Sequence, residues 1–244
     1  MYLPTNVLFL DERGMRIPLY LSLPQGEKSI AFPLQCLLLY YRYENQQTKE
    51  HSMDGKKVVI AIGSPRKEGN CAALAQSATD GIRAAGGEAE SFLLHSMNIH
   101  PCTACDSCQK DMDTLCVIED DMQILYPKIM AAQGLIIASP VYWFTVSAQT
   151  KLFMDRCYAF GSAHGNGMKG KRIGILLTYG DVDPFISGAV NALRTFQDAF
   201  GYIGSPIVGM VYGSALDAGV IRANGEIMNN AFMLGKRMIE ALST

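Results

Sequence analysis

Apolar and polar positions along the chain fall into two textures. Across residues 1–52, short apolar runs at 7–10, 17–23 and 30–41 are separated by the turn-forming stretches Asp11-Glu12-Arg13-Gly14 and Pro24-Gln25-Gly26-Glu27. This predicts two or three short strands, a hairpin among them, followed by a polar linker over 44–55. From Lys56 onward the rhythm is regular. Residues 58–62 are β-branched and wholly apolar, as a central parallel strand buried on both faces requires. The alanine-rich stretch 72–85 predicts a helix stopping at Gly86-Gly87, and 89–94 a second strand. Asp120 and Asp121 precede a helix over 122–132, where acidic residues suit the N-terminus. Strands at 135–139, 173–178 and 206–212 alternate with helices at 147–158, 186–200 and 226–242. That alternation implies a parallel sheet with right-handed crossovers and helices on both faces.

The change of texture divides the chain into an N-terminal extension, 1–52, and a main α/β domain, 53–244. The extension reads as a β-arm that completes a subunit contact, or as residues upstream of a true start at Met53. The longest apolar stretch near the N-terminus, 30–41, is broken by Pro33 and Gln35 and is too short to span a bilayer. With no basic segment leading into an apolar block, the expected compartment is the cytoplasm. A net charge of −2 gives no electrostatic reason to expect nucleic acid or an anionic membrane as partner.

The loop Gly63-Ser64-Pro65-Arg66-Lys67-Glu68-Gly69-Asn70-Cys71 joins the first buried strand to its helix. Unpaired N–H groups and a partial positive charge at a helix start hold anions. Gly63 and Gly69 permit close backbone approach; Ser64 and Asn70 add neutral donors, and Arg66 offsets phosphate charge. Neither the triphosphate P-loop nor the dinucleotide glycine fingerprint is present. A monophosphate such as that of FMN fits, against the plain alternative of a βα turn with a basic tip.

Gly63-Ser64-Pro65-Arg66-Lys67 with Gly69-Asn70, the turn Pro140-Val141-Tyr142-Trp143, and Lys151 with Asp155-Arg156 occur in the order found in a known group. On these motifs, residues 56 to about 242 resemble the NADPH-dependent FMN reductase and iron–sulfur flavoprotein family. The resemblance implies a flavodoxin-like three-layer sandwich with a five-stranded parallel sheet of order 2-1-3-4-5, and FMN at the switch point by strands one and three. It also implies a homodimer or homotetramer. The family carries Thr or Ser where Cys71 stands, and a thiol is the weaker donor.

By the same resemblance Pro140, Val141, Tyr142, Trp143 and Phe144 line the isoalloxazine; the alternative for the aromatic residues is core packing or a subunit contact. Thr178 and Gly180 sit where a third flavin loop belongs. Lys151 and Asp155, four apart on one helix, read as a structural salt bridge.

Of seven cysteines, Cys102, Cys105, Cys108 and Cys116 lie within fifteen residues as C-x2-C-x2-C-x7-C. Such clustering argues against a secreted disulfide framework and for a metal or redox site. Three cysteines at three-residue steps can turn toward one point, as a cuboidal cluster requires; zinc and free redox-active thiols remain alternatives. The run resembles the compact motif of the iron–sulfur flavoproteins, which implies a [4Fe-4S] cluster exchanging electrons with FMN. Cys36, Cys71 and Cys157 read as isolated buried thiols, and His95 and His100 as surface or packing residues.

Flavin chemistry resides in the cofactor, so no catalytic side chain is assigned. The function expected is an oxidoreductase passing electrons from NAD(P)H or a reduced carrier, through FMN, to a small-molecule or protein acceptor. A flavodoxin-like electron carrier and a cluster-free quinone or azo-compound reductase are the alternatives.

Overall fold

The computed structural model describes residues 8–10, 16–18, 56–110, 115–162 and 165–242. Contacts along the chain divide it into two units, Met1–Met53 and Asp54–Thr244. In the first, Leu8–Leu10 pairs antiparallel with Arg16–Pro18, Phe9 opposite Ile17. The apolar run at 30–41, the linker at 44–55 and Cys36 lie outside the described residues.

In the second unit five parallel strands carry the fold: β1 (Lys57–Ile62), β2 (Glu88–Leu93), β3 (Gly134–Tyr142), β4 (Arg172–Tyr179) and β5 (Ile207–Ser214). β1 lies between β2 and β3, β3 pairs β4, and β4 pairs β5, giving the order 2-1-3-4-5. The main helices are α1 (Asn70–Ala84), α2 (Met122–Ala131), α3 (Ala148–Arg156), α4 (Ala189–Ile203) and α5 (Gly225–Glu240), with a single helical turn at Ser107–Lys110 in the cysteine segment. This is the flavodoxin-like α/β sandwich expected.

Strand alternation explains why β1 is apolar throughout. Val59 and Ala61 enter a core with Leu125, Phe153 and Phe196 of α2, α3 and α4, while Val58, Ile60 and Ile62 enter one with Leu74 and Leu234 of α1 and α5. α1 and α5 approach so closely that a Cβ on Gly81 would lie 1.9 Å from the Phe232 carbonyl oxygen, and one on Gly235 2.0 Å from that of Ala78. At the edge, β2 (Glu-Ala-Glu-Ser-Phe-Leu) keeps its glutamates exposed, Glu90 paired with Lys128 at 2.7 Å.

Most boundaries shift by one to three residues from the sequence expectation, and two of the shifts have a visible cause. β3 runs through Pro140 to Tyr142, because β1 pairs only as far as Ala138; beyond it, one side of β3 has no β1 partner, and the missing N–H of proline costs no ladder bond there. α4 begins at Ala189 rather than 186: the Asp183 carboxylate accepts from the N–H groups of Phe185 (2.7 Å) and Ile186 (3.1 Å), and Gly188 turns the chain at φ +77°. No helix among the described residues is long and apolar enough to cross a membrane.

Candidate functional site

At the C-terminal ends of β1, β3 and β4 three loops lie side by side. The first holds Ser64, Arg66, Gly69, Asn70 and Cys71. Gly63 N–H donates to the Ala138 carbonyl at 2.8 Å, fixing the loop to β3. α1 starts at Gly69 with no capping side chain and no acid in its first turn, which leaves N–H groups for an anion. Ser64 is buried and its Oγ accepts from Arg66 N–H at 3.2 Å, so its hydroxyl proton is free to donate elsewhere. Arg66 is exposed and reaches the Leu216 carbonyl at 3.5 Å.

Asn70 serves differently from the sequence expectation. Its side-chain amide donates to the carbonyls of Ala215 (3.0 Å) and Asp217 (2.8 Å), and its Oδ1 accepts from Ile221 N–H at 3.2 Å. It thus pins the loop after β5 to the start of α1, leaving only its backbone for an anion. The Cys71 thiol is buried and meets the Thr178 hydroxyl at 3.2 Å. Burial pushes that thiol up to about 12, the Thr178 contact only partly offsetting it. Cys71 and Thr178 therefore bind α1 to β4 side chain to side chain, while Gly180 is exposed at the end of β4.

The second loop is a β-hairpin. Val141 pairs Val146 and Tyr142 pairs Thr145, which leaves Trp143 and Phe144 as the two turn residues, both at positive φ (47° and 66°). Such a two-residue turn normally takes Asn-Gly; two bulky aromatics there hold strained backbone of the kind found at functional sites. The strain is held from outside. Asn191 donates to the Phe144 carbonyl at 3.2 Å, and Gly188 leaves room for Phe144, whose Cα a Cβ would approach to 2.5 Å. Trp143 is 92% exposed, its ring edge-on to Phe144 at 5.8 Å.

Beneath the two loops runs a hydroxyl chain that the sequence reading missed. Ser147 caps α3 and donates to the Gly63 carbonyl at 2.7 Å; Thr150 donates to Ser139 (3.0 Å), which donates to the Pro140 carbonyl (2.9 Å). All three hydroxyl residues are fully buried. The sequence signal was Ser147 before a helical run with Thr150 three residues on. A Cβ on Gly63 would stand 1.9 Å from Thr150 Oγ1, so glycine here serves packing against that chain.

The cysteine segment lies off this cradle, between β2 and α2. Cys102 and Cys105 are exposed, Cys108 and Cys116 half-buried. Ala104 N–H reaches Cys102 Sγ (3.5 Å), the Gln109 amide Cys108 Sγ (3.4 Å), and Arg156 Nη2 Cys116 Sγ (3.4 Å). Side-chain and backbone hydrogen bonds from Ser107 lower the Cys105 thiol. Four thiols with N–H donors on three of the sulfurs suit a thiolate-ligated group in kind. Their placement is another matter: among the described residues no three of His, Cys, Asp and Glu converge as a metal site.

The stems of the cysteine segment are closed by an ion pair also missed by the sequence reading. Arg156, 1% exposed, pairs with Asp120, whose carboxylate also accepts from the N–H groups of His100 (2.8 Å) and Met122 (2.9 Å). Burial opposes both charges; the hydrogen bonds from Arg156, His100 and Met122 outweigh it and hold Asp120 below the usual carboxylate range. For Arg156, burial is likewise outweighed by the Asp120 hydrogen bond, and its value is raised. Asp120, expected as a helix-start acid, does bond the first N–H of α2, but its main partner is this buried guanidinium. Lys151 and Asp155 form the exposed i,i+4 pair expected, at 2.5 Å, away from the site's chemistry. His95 and His100 are exposed, and burial raises the Cys157 thiol.

Comparison with known proteins agrees with this geometry. The sequence profile of the family described as NADPH-dependent FMN reductase matches residues 56–215. An iron–sulfur flavoprotein of Archaeoglobus fulgidus is 32% identical over 192 residues, 77% of this chain and 81% of that protein. One of Methanosarcina thermophila is 39% identical over 100 residues, 41% of this chain and 51% of that protein. Among solved structures, the NAD(P)H:quinone oxidoreductase of Methanothermobacter marburgensis superposes with a TM-score of 0.60 at 17% identity, covering 75% of this chain and 97% of that one; it speaks for the fold alone. The chain belongs to the NADPH-dependent FMN reductase family and is an NAD(P)H-dependent FMN oxidoreductase.

Proposed function

We propose that the loop from Gly63 to Cys71 holds the FMN phosphate and that the hairpin 140–144, with Thr178 and Gly180, borders the isoalloxazine. The observation that carries this reading is the uncapped, acid-free start of α1 beside a hairpin forced to display Trp143 and Phe144 at its tip. Ser64 Oγ, the backbone N–H groups of Asn70 and Cys71, and Arg66 supply the phosphate donors. Cys71 contributes through its backbone only, since its thiol is engaged with Thr178. Tyr142, Trp143 and Phe144 offer apolar surface to the ring system, and Pro140 and Val141 set the hairpin's direction. When bound, FMN supplies the hydride and one-electron chemistry; the chain binds and orients it.

Cys102, Cys105, Cys108 and Cys116 are the proposed ligands of a [4Fe-4S] cluster. Their spacing, the N–H donors on sulfur and the likeness to proteins named iron–sulfur flavoproteins support this. Bound there, a cluster would supply one-electron chemistry, and the proposed acceptor is a small molecule or a protein.

The test uses the single tryptophan, Trp143. Titrating FMN into flavin-free protein should quench most of its emission, and Arg66→Ala should weaken FMN by about tenfold, the loss of one charge-assisted phosphate contact. Protein that takes up no FMN, or an Arg66→Ala variant that binds as well as the original, overturns the site. Iron and sulfide assays on anaerobically purified protein decide between cluster, zinc and free thiols, and comparing NADH with NADPH oxidation identifies the preferred donor.

A further inference from the structure

The buried guanidinium of Arg156 has more partners than an ion pair needs, and they fall on both sides of the cysteine segment. Nη1 donates to Asp120 and to the His100 carbonyl (2.9 Å), two residues before Cys102. Nη2 donates to Asp120 (3.2 Å) and to the sulfur of Cys116 (3.4 Å). Asp120 in turn accepts from His100 N–H, so the two stems of the segment are joined through one carboxylate. The same closure is repeated one rung away. Asn98 N–H donates to the Asp121 carboxylate (2.7 Å) and Asp121 N–H returns to the Asn98 carbonyl (3.0 Å). Gln123 of α2 then donates to the carbonyls of Cys116 (2.7 Å) and Ile118 (2.8 Å). Tyr126 holds Arg156 from behind, donating to its carbonyl at 3.1 Å.

The outer turn is built in the opposite way. Cys102 and Cys105 are exposed, and Ala104 and Asp106 stand at positive φ (52° and 55°), a conformation that residues with a Cβ adopt under constraint. Arg156 and Gln123 thus fix the Cys116 end to α3 and α2, whereas among the described residues Gln109 ties the turn of Cys102 and Cys105 outward, to the Tyr158 carbonyl at 3.2 Å.

We propose that Arg156 is the positioning residue of the cysteine segment: gripped by Asp120, it closes the two stems and presets the sulfur of Cys116 as the fixed point toward which Cys102, Cys105 and Cys108 turn. The placement of Cys116 stands whatever the thiols hold. Only the closing of the other three onto it rests on the reading of the run as a metal–thiolate site.

The seven cysteines of the chain make the test site-resolved. Iron-free, FMN-loaded protein is alkylated with iodoacetamide at one pH, and each cysteine-containing peptide is quantified by mass spectrometry. In the unaltered protein Cys116 should react about tenfold more slowly than Cys102 and Cys105, the mark of a closed local segment, and buried Cys71 should stay unmodified. In Arg156→Lys, which keeps the charge but not the fork, and in Asp120→Asn, Cys116 should approach the rate of Cys105. Cys71 protection and FMN content should stay unchanged, which a general loss of structure would not allow. Cys116 remaining slow in a variant that keeps Cys71 protected overturns the proposal. Equal rates for Cys116 and Cys105 in the unaltered protein overturn it with no variant at all. Iron and sulfide assays stand apart: no iron in carefully prepared protein defeats the cluster reading and leaves the labelling outcome untouched.

Discussion

Three places in the chain, four residues in all, carry burdens out of proportion to their size. Gly63 is the plainest, since a methyl group there would collide with Thr150 Oγ1 at 1.9 Å and crowd Ser147 Oγ at 3.0 Å. Both hydroxyls belong to the buried chain through Ser139, so neither can move aside without leaving a polar group unpaired. Gly63→Ala is expected to cost about 1–3 kcal/mol as an overpacked core site, read as a lower Tm, roughly 2–4 °C per kcal/mol in a chain of this size. It should also lower FMN occupancy, because the hydroxyl chain sets both loops. A Tm unchanged within a degree would mean the loop relaxes freely. Asn70 shows how a residue type misleads: the amide looked like a phosphate donor, yet three of its hydrogen-bonding positions are taken by Ala215, Asp217 and Ile221. Trp143 and Phe144 are the third case, held at positive φ at a cost of about 1–3 kcal/mol each, which the Asn191 bond and the space at Gly188 sustain.

Among the elements, the α/β alternation was legible because each buried strand is a short β-branched run flanked by helix-forming stretches, a strong local signal. The strand order was not in that pattern; it came with the family motifs. Boundaries failed where a tertiary partner decides them. β3 outruns Pro140 because β1 has already ended, and α4 starts late because Asp183 and Gly188 shape a turn first. The Asp120–Arg156 pair was illegible for the same reason, since thirty-six residues separate its members. Lys151 and Asp155, one helical turn apart, were read without difficulty. The pair has a pH signature. Asp120 is held below its ordinary value in the folded chain, so its contribution is full above about pH 4, the unfolded carboxylate value. It is lost as pH falls through the lower native value. Chemical denaturation between pH 7 and 2 should show stability falling below about pH 4. Asp120→Asn should cost about 3–5 kcal/mol at neutral pH, as for one broken buried pair, and flatten that part of the acid limb. A limb of undiminished steepness in the variant would move the responsible carboxylate elsewhere.

On the scale of the whole molecule, exposed apolar side chains concentrate on the loops beside the proposed flavin site. Trp143, Phe144, Val182, Phe185, Ile186 and Leu216 are all exposed, and each lies in the hairpin or in the loops after β4 and β5. Contacts already knit these loops together: Asn191 to Phe144, Arg66 to Leu216, and Leu216 against Gly180. Scattered exposed leucines need no explanation, but six large apolar residues around one cradle form the kind of patch that marks a contact surface. The homodimer or homotetramer implied by the family motifs would cover that rim and bring a second subunit close to the flavin. Light scattering on the FMN-loaded protein should then give a mass of twice or four times the 26.7 kDa chain. Placing a charge on the rim, as in Phe185→Asp, should shift the mass toward the single chain, since an unpaired charge in an apolar contact is strongly unfavourable. FMN affinity separates two outcomes within that result. If it falls with the mass, the partner helps to build the cradle; if it holds, the chain binds flavin alone and the contact serves acceptor access. A single-chain mass in the unaltered protein would leave the rim free for the acceptor itself, and the assembly reading would fall.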